Sequence, residues 1–167
     1  MINDVRIGKV TVNIGVGHPG ERLDNAEQLL REITDMKPVR TLAKKRNPMF
    51  KLRKGLPIGV KVTLRNEKAI IFLKKAFVAV KNKLRESNFD KTGNVSFGVH
   101  EYIDFPDVKY KPEIGMFGFD VCITLEKPGY RVKRRKIARS KVGKNQLVKK
   151  EEAIEFIKRT FNVSIGE

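Results

Sequence analysis

The glycines of NIGVGHPGERLDN, residues 13–25, have the spacing that a nucleotide-binding enzyme could use. Gly15, Gly17 and Gly20 form G-x-G-x-x-G between an apolar run and a helix-like one. A dinucleotide loop also needs a parallel strand after the helix and an acidic residue roughly 20 positions on. The acid at that spacing, Asp35, ends the predicted helix and precedes a basic loop. We therefore interpret the glycines as a strand-to-helix turn, with a small nucleotide-dependent oxidoreductase as the weaker alternative.

Other residue types give no further indication of catalysis. His18 and His100 are the only histidines, no Cys/His cluster has zinc spacing, and the single cysteine, Cys122, lies in a strand-like run. We predict that the chain is not an enzyme and uses no cofactor and no metal. Its N-terminal residues lack the features of a signal peptide, and its uncharged runs are too short to cross a membrane, so we expect an intracellular, cytoplasmic protein.

The charge of the chain indicates a polyanionic partner. Thirty-six Lys and Arg against 19 Asp and Glu give a net charge of +17. Two windows without any acidic residue carry much of the excess, Lys37 to Arg65 and Lys127 to Lys150. Such concentrated positive charge favours nucleic acid over an anionic membrane.

The pattern of apolar residues predicts an α+β fold. Alternation at period two predicts strands, and helical spacing predicts three helices, near residues 21–35, 68–84 and 151–161. Strands with one polar face indicate a mainly antiparallel sheet, with helices packed on one face and the other face polar and RNA-facing. We expect a single domain, 1–167, with a basic loop at about 44–56 and a basic segment, loop or extended tail, at about 127–150.

Two of the predicted strands, residues 9–14 and 58–65, supply the candidate binding surface. If they share a sheet, Lys9, Thr11 and Asn13 lie on the same face as three polar residues of the second strand, Lys61, Thr63 and Arg65. This face offers hydrogen bonds and charge and no stacking aromatics, so shape and backbone readout of structured RNA is the better expectation. A generic structured-RNA-binding module is an alternative that these residues leave open.

Several segments resemble one family in order and spacing. They are VTVNIGVG (10–17), KPVRT (37–41), PIGVKVTLR (57–65), GNVSFGVHEYIDFP (93–106), YKPEIGMFGFDV (110–121) and KPGYRVKRRK (127–136). The chain resembles ribosomal protein five of the large subunit, the 5S rRNA-binding family, in its archaeal type. The resemblance implies a structural constituent that binds 5S rRNA and helps attach it to the large rRNA in the central protuberance. It also implies that the basic loop contacts P-site tRNA.

The resemblance and the charge pattern together give the candidate site residues. Asn13 and Thr63 are the 5S rRNA contacts that the resemblance implies, and Met36 stands where many relatives have a glutamine, whose contact Lys37 could take over. The remaining predicted 5S contacts are Lys9, Thr11, Arg40, Lys61 and Arg65. The predicted tRNA-contacting residues are Lys44, Lys45, Arg46, Phe50, Lys51, Arg53 and Lys54. Further rRNA contacts are predicted at Tyr130, Arg131, Lys133, Arg134 and Arg135. We also expect contacts with neighbouring proteins of the central protuberance and none with a membrane. Off the ribosome, the chain is expected to be a monomer.

Overall fold

The computed structural model describes residues 5–106 and 108–166. Over these residues the strands are β1 (Arg6–Gly15), β2 (Val39–Leu42), β3 (Pro57–Leu64), β4 (Lys83–Arg85), β5 (Asn94–Val99), β6 (Phe119–Glu126) and β7 (Ser164–Gly166). The α-helices are α1 (Glu21–Thr34), α2 (Asn66–Ala79), α3 (Arg131–Arg134) and α4 (Lys150–Phe161).

The main sheet has five strands in the order β2-β3-β1-β6-β5. β2 and β3 pair in antiparallel fashion, with Arg40 opposite Val60. Along β1 the apolar side chains Val10, Val12 and Ile14 are fully buried, while the polar residues between them remain partly exposed. This alternation is the one that the sequence predicts, and the mainly antiparallel α+β fold is confirmed.

The chain divides into two compact units. Unit 1 comprises residues 1–10, 65–97 and 122–167, and unit 2 comprises residues 11–64 and 98–121. In unit 1 the ring of Phe77 stacks on Phe97 at 5.3 Å between centroids and lies 5.0 Å from that of Phe161. In unit 2 helix α1 buries its apolar face and packs on β3. Each unit therefore has apolar packing of its own.

Helix α2 is shorter than the sequence predicts. The predicted helix 68–84 is wrong at its C-terminal end, because the helix stops at Ala79 and Leu84 lies in β4. Lys81 and Asn82 take left-handed backbone angles, and the N–H of Asn82 donates to the carbonyl of Phe77 at 2.8 Å. β4 then pairs in parallel with β7, a short strand that the sequence analysis did not predict. Apolar spacing continues across this break, so periodicity alone does not locate it.

Candidate nucleic-acid interface

The glycine turn after β1 is used for packing within unit 2. The N–H groups of Val16 and Gly17 both donate to the carbonyl of Ile58, at 3.0 and 2.8 Å. Gly17 and Gly20 have φ of 93° and 137°, values that favour glycine. The first turn of α1 also carries two carboxylates, which disfavour a phosphate there, Glu21 and Asp24.

The strand beside β1 in the sheet, β3, runs in the wrong direction for a dinucleotide fold. Gly59 of β3 lies against the end of β1, since a Cβ on Gly59 would come within 3.5 Å of the Cα of Gly15. Near the other end of β1, Arg65 Nη1 donates to the carbonyl of Gly8 at 3.4 Å. β1 and β3 are therefore antiparallel, and β3 lies between β1 and β2, the strand that follows α1. The adjacent pair of parallel strands that a dinucleotide fold would require is not formed here.

The polar residues of β1 and β3 share one side of unit 2. We use the name polar strand face for Thr11, Asn13, Lys61 and Thr63. Lys61 and Thr63 are exposed and Thr11 and Asn13 are half-buried, whereas the alternating valines of both strands are buried. Counting from Gly15 beside Gly59, the antiparallel strands set Asn13 near Lys61 and Thr11 near Thr63. The face that the sequence predicts is thus present.

The polar strand face combines hydrogen-bonding groups with positive charge. It offers one amide, two hydroxyls and the ammonium of Lys61, and it contains no carboxylate. In the part of the chain that the structure describes, Lys61 makes no ion pair. Amides, hydroxyls and ammonium groups on fixed strands can bind phosphate oxygens and ribose hydroxyls. Two further predicted contacts, Lys9 and Arg65, continue the same alternation on their strands and belong to unit 1.

Arg40 lies on the other side of the sheet. Its register partner is Val60, a buried residue of the face that helix α1 covers. The guanidinium of Arg40 binds Glu27 Oε2 through Nε and Asp24 Oδ1 through Nη2, both at 2.7 Å. Glu27 first, and Asp24 with it, raise the pKa of Arg40. The predicted RNA contact of Arg40 is therefore not part of the polar strand face, whereas Lys37 stays exposed before β2.

The basic loop 44–56 is a hairpin closed by backbone hydrogen bonds. Ala43 and Leu56 pair at its base through an N–H to carbonyl bond of 2.8 Å. Asn47 and Leu52 exchange two such bonds, each of 2.9 Å. All of its cationic side chains are exposed, and over the described ranges none of them has an ion-pair partner: Lys44, Lys45, Arg46, Lys51, Arg53 and Lys54.

The tip of this hairpin exposes two large apolar side chains. Met49 is 89% exposed and Phe50 is 70% exposed, next to the turn that Lys51 closes by donating to the carbonyl of Pro48. Exposed apolar residues among cations can meet a nucleic-acid surface by stacking as well as by charge. All the loop residues predicted to contact tRNA are therefore on the surface of unit 2.

The second basic segment, 127–150, is folded within unit 1. Tyr130 is only 9% exposed, and its hydroxyl accepts a hydrogen bond from the N–H of Val148. Arg134 forms an ion pair with the buried carboxylate of Glu126. Much of the segment is loop, with helix α3 near its start. It is not an extended tail, because contacts with β6 and α4 hold both of its ends in place. Sequence reasoning missed these anchors since neither charge nor periodicity shows which residues pair in the folded chain.

The predicted rRNA contacts of this segment are divided by these anchors. Tyr130 and Arg134 bind other residues of unit 1, the N–H of Val148 and the carboxylate of Glu126. Arg135 Nε donates to the carbonyl of Ala138 at 2.7 Å. Arg131 and Lys133 are exposed, as are three cations that the sequence analysis did not single out, Lys136, Arg139 and Lys141.

Over residues 5–106 and 108–166, no group of three or more His, Cys, Asp or Glu side chains is arranged to hold a metal ion. No helix in the same residues is long and apolar enough to cross a membrane.

The chain is similar to one family along nearly its whole length. Residues 1–53 match the family described as ribosomal protein L5, and residues 57–156 match the C-terminus of that ribosomal family. Large ribosomal subunit protein uL5 of Methanococcus vannielii is 55% identical over 163 residues, which are 96% of this chain and 90% of the relative. The uL5 protein of Sulfurisphaera tokodaii is 54% identical over 164 residues, 98% of this chain and 93% of the relative.

These matches confirm the archaeal resemblance read from the sequence and the expectation of a protein that is not an enzyme. They place the protein in the large subunit of the cytoplasmic ribosome, where rRNA and ribosomal proteins surround it. With both halves matched and relatives above 50% identity, the chain belongs to the uL5 family and is a structural constituent of the large ribosomal subunit.

Proposed function

We propose that the chain binds 5S rRNA through the polar strand face and helps attach it to the large rRNA in the central protuberance. The observation that carries this proposal is the composition of that face on two adjacent strands: an amide, two hydroxyls and an ammonium, without a carboxylate. Over the described residues that ammonium has no ion-pair partner. Because strands hold these groups in fixed positions, they can recognise the shape and backbone of a folded RNA.

We propose a second contact, with P-site tRNA, for the hairpin 44–56. Its six exposed cations have no ion-pair partner in the described residues, so they are available to phosphates. Its closed backbone presents Phe50 and Met49 at the tip, away from the base at Ala43 and Leu56. The predicted contact of Lys37 with 5S rRNA also stays a proposal, supported by the exposure of that side chain.

The 5S rRNA contact is tested by removing the hydrogen-bonding groups of the face. Asn13→Ala with Thr63→Ala should weaken 5S rRNA binding roughly 10- to 30-fold, because each lost hydrogen bond to RNA is worth about 1 kcal/mol. Fluorescence anisotropy with labelled 5S rRNA measures the affinity, and circular dichroism checks that the melting temperature is unchanged. The matched control is Ser96→Ala with Thr124→Ala, which removes polar groups from β5 and β6.

The control should bind 5S rRNA like the wild type. An equal loss in the control, or no loss in the double variant, would overturn the assignment of the face. A generic structured-RNA-binding module makes a different prediction: an equal mass of unrelated folded RNA would then compete as well as 5S rRNA does. Preference for 5S rRNA in that competition supports the narrower function.

A further inference from the structure

We propose that the loop of residues 131–142 forms a separate pocket for an RNA backbone phosphate, built by Lys133, Arg139, Ser140 and Lys141. This inference rests on the proposed RNA-binding function, and it assigns a site in unit 1 that is made of different residues from the polar strand face. It also changes which residues of the second basic segment are proposed to contact RNA. Arg139 and Lys141 are added to the proposed contacts, and Tyr130 and Arg134 are removed from them.

The pocket is an open depression of about 570 Å³ lined by the four polar residues and Val142. Its polar residues are exposed and supply two ammonium groups, one guanidinium and one hydroxyl. The lining contains no carboxylate. A phosphate group has several oxygens in a small volume, and convergent cations and a hydroxyl donor are the groups that bind it.

Over the described residues, the cations of the pocket differ from Arg134 and Arg135 in having no partner for their charged groups. Within the described part of the chain, Lys133, Arg139 and Lys141 have no ion-pair partner. Arg134 is held by Glu126, a carboxylate only 3% exposed, and Arg135 is held by the carbonyl of Ala138. The loop thus uses some of its cations for its own fold and leaves others for a ligand.

The backbone of the loop is fixed at its base and across its middle. Gln146 Nε2 donates to the carbonyl of Pro128 at 2.9 Å, which closes the base together with the Tyr130 hydroxyl. Across the middle, the N–H of Ser140 donates to the carbonyl of Val132 at 3.2 Å. Because this bond ties the segment that carries Arg139 and Lys141 to helix α3, which carries Lys133, the three cations are held around one depression.

Glu126 explains why Arg134 does not join them. The carboxylate lies over Gly8 so closely that a Cβ on Gly8 would clash with Glu126 Cδ. Arg134 pairs with it there and is turned away from the pocket lining. An acidic protein segment is the less suitable ligand, since Val142 is the single apolar residue of the lining and a peptide would need apolar area to bury.

The pocket is tested by the salt dependence of RNA binding. Lys133→Ala with Arg139→Ala and Lys141→Ala should lower the slope of log affinity against log salt by about 1, since the pocket holds one phosphate and each neutralised phosphate adds about 1. The slope is measured with 5S rRNA and with a plain A-form RNA duplex. The reduction should be the same for both RNAs, and the preference for 5S rRNA over the duplex should not change.

The matched control removes three exposed cations elsewhere in unit 1, Lys74→Ala with Lys158→Ala and Arg159→Ala. A pocket variant with the wild-type slope, or a control with the same reduction, would overturn the proposal. Competition by a polyglutamate peptide as effective as competition by the duplex at equal charge would overturn it too. A wild type that does not prefer 5S rRNA contradicts the proposed function alone, because the slope still reports on the pocket.

Discussion

The two basic windows of the chain have similar composition and different structures. Loop 44–56 is a hairpin held by backbone hydrogen bonds, and its cations and its one aromatic residue, Phe50, are exposed. Segment 127–150 is anchored by side chains: Lys127 is buried against Glu152, Arg134 pairs with Glu126, and Tyr130 is buried. Both windows lack acidic residues in sequence, yet among the described residues carboxylates of other elements pair with cations of segment 127–150 and not with those of loop 44–56.

The difference shows that a count of cations overstates the charge available to RNA. In loop 44–56 the cations are free of ion pairs within the described residues. In segment 127–150 some are neutralised by Glu126, Glu152 and Glu86, which lie outside the window or in its flanking helix. We therefore expect substitutions in the first window to change binding, and many substitutions in the second to change folding.

The largest expected contrast is between the two aromatic residues. Tyr130→Ala should lower the free energy of unfolding by about 3 kcal/mol, the usual cost of emptying a buried aromatic site. Phe50→Ala should change it by less than about 0.5 kcal/mol, as is typical of an exposed residue. Urea denaturation followed by circular dichroism measures both. Equal losses of stability in the two variants would contradict the contrast.

Breaking the ion pair of Lys127 and Glu152 should lower the free energy of unfolding by a smaller amount. Its charged atoms are 2.7 Å apart. Glu152→Gln should cost about 2 kcal/mol, less than the roughly 3–5 kcal/mol of a fully buried pair, because Glu152 is partly exposed. The Lys127 ammonium, and next the backbone N–H of Lys149, hold the pKa of Glu152 below its ordinary value of 4.5.

The sign of this pKa shift gives a pH dependence. A carboxylate with a lowered folded pKa stabilises the protein above its unfolded pKa, and that stability is lost as pH falls through the folded pKa. The difference in unfolding free energy between wild type and Glu152→Gln should therefore be largest at neutral pH and shrink below pH 4.5. A difference that grows on acidification would rule out this role of the pair.

Substitutions in hairpin 44–56 should have the smallest effect on the stability of the fold. Lys51→Glu with Arg53→Glu and Lys54→Glu should leave the melting temperature unchanged, since these side chains make no ion pairs in the described structure. The triple variant should keep its affinity for 5S rRNA and, once assembled into large subunits, weaken P-site tRNA binding in filter-binding assays. Loss of 5S rRNA affinity equal to that of Asn13→Ala with Thr63→Ala would contradict the separate roles of hairpin and face.

The sequence predicts most of the fold because alternation and helical spacing are local signals. Val10, Val12 and Ile14 predict β1 correctly, and the polar residues between them predict its exposed side. The end of α2 could not be predicted this way, because Leu84 keeps the apolar spacing while the backbone turns at Lys81 and Asn82. A left-handed pair of non-glycine residues has no clear signature in sequence.

The candidate site is less predictable than the fold, because it depends on which cations pair with carboxylates of other elements. Arg40 is one residue from a polar position of β2, but its own side chain faces Asp24 and Glu27 on α1. Arg134 and Lys133 are adjacent, yet only Arg134 meets Glu126. Charge patterns identify a basic region, and the geometry of the folded chain decides which of its cations remain for RNA.

Photo-crosslinking tests most directly whether the polar strand face contacts 5S rRNA. A chain with a photo-crosslinking residue in place of Thr63 is bound to the total RNA of large subunits, and the crosslinked RNA is sequenced. A second chain carries the same group in place of Ser96 on β5. We predict 5S rRNA crosslinks from position 63 and few from position 96. Crosslinks to 5S rRNA from position 96 and none from position 63 would contradict this prediction.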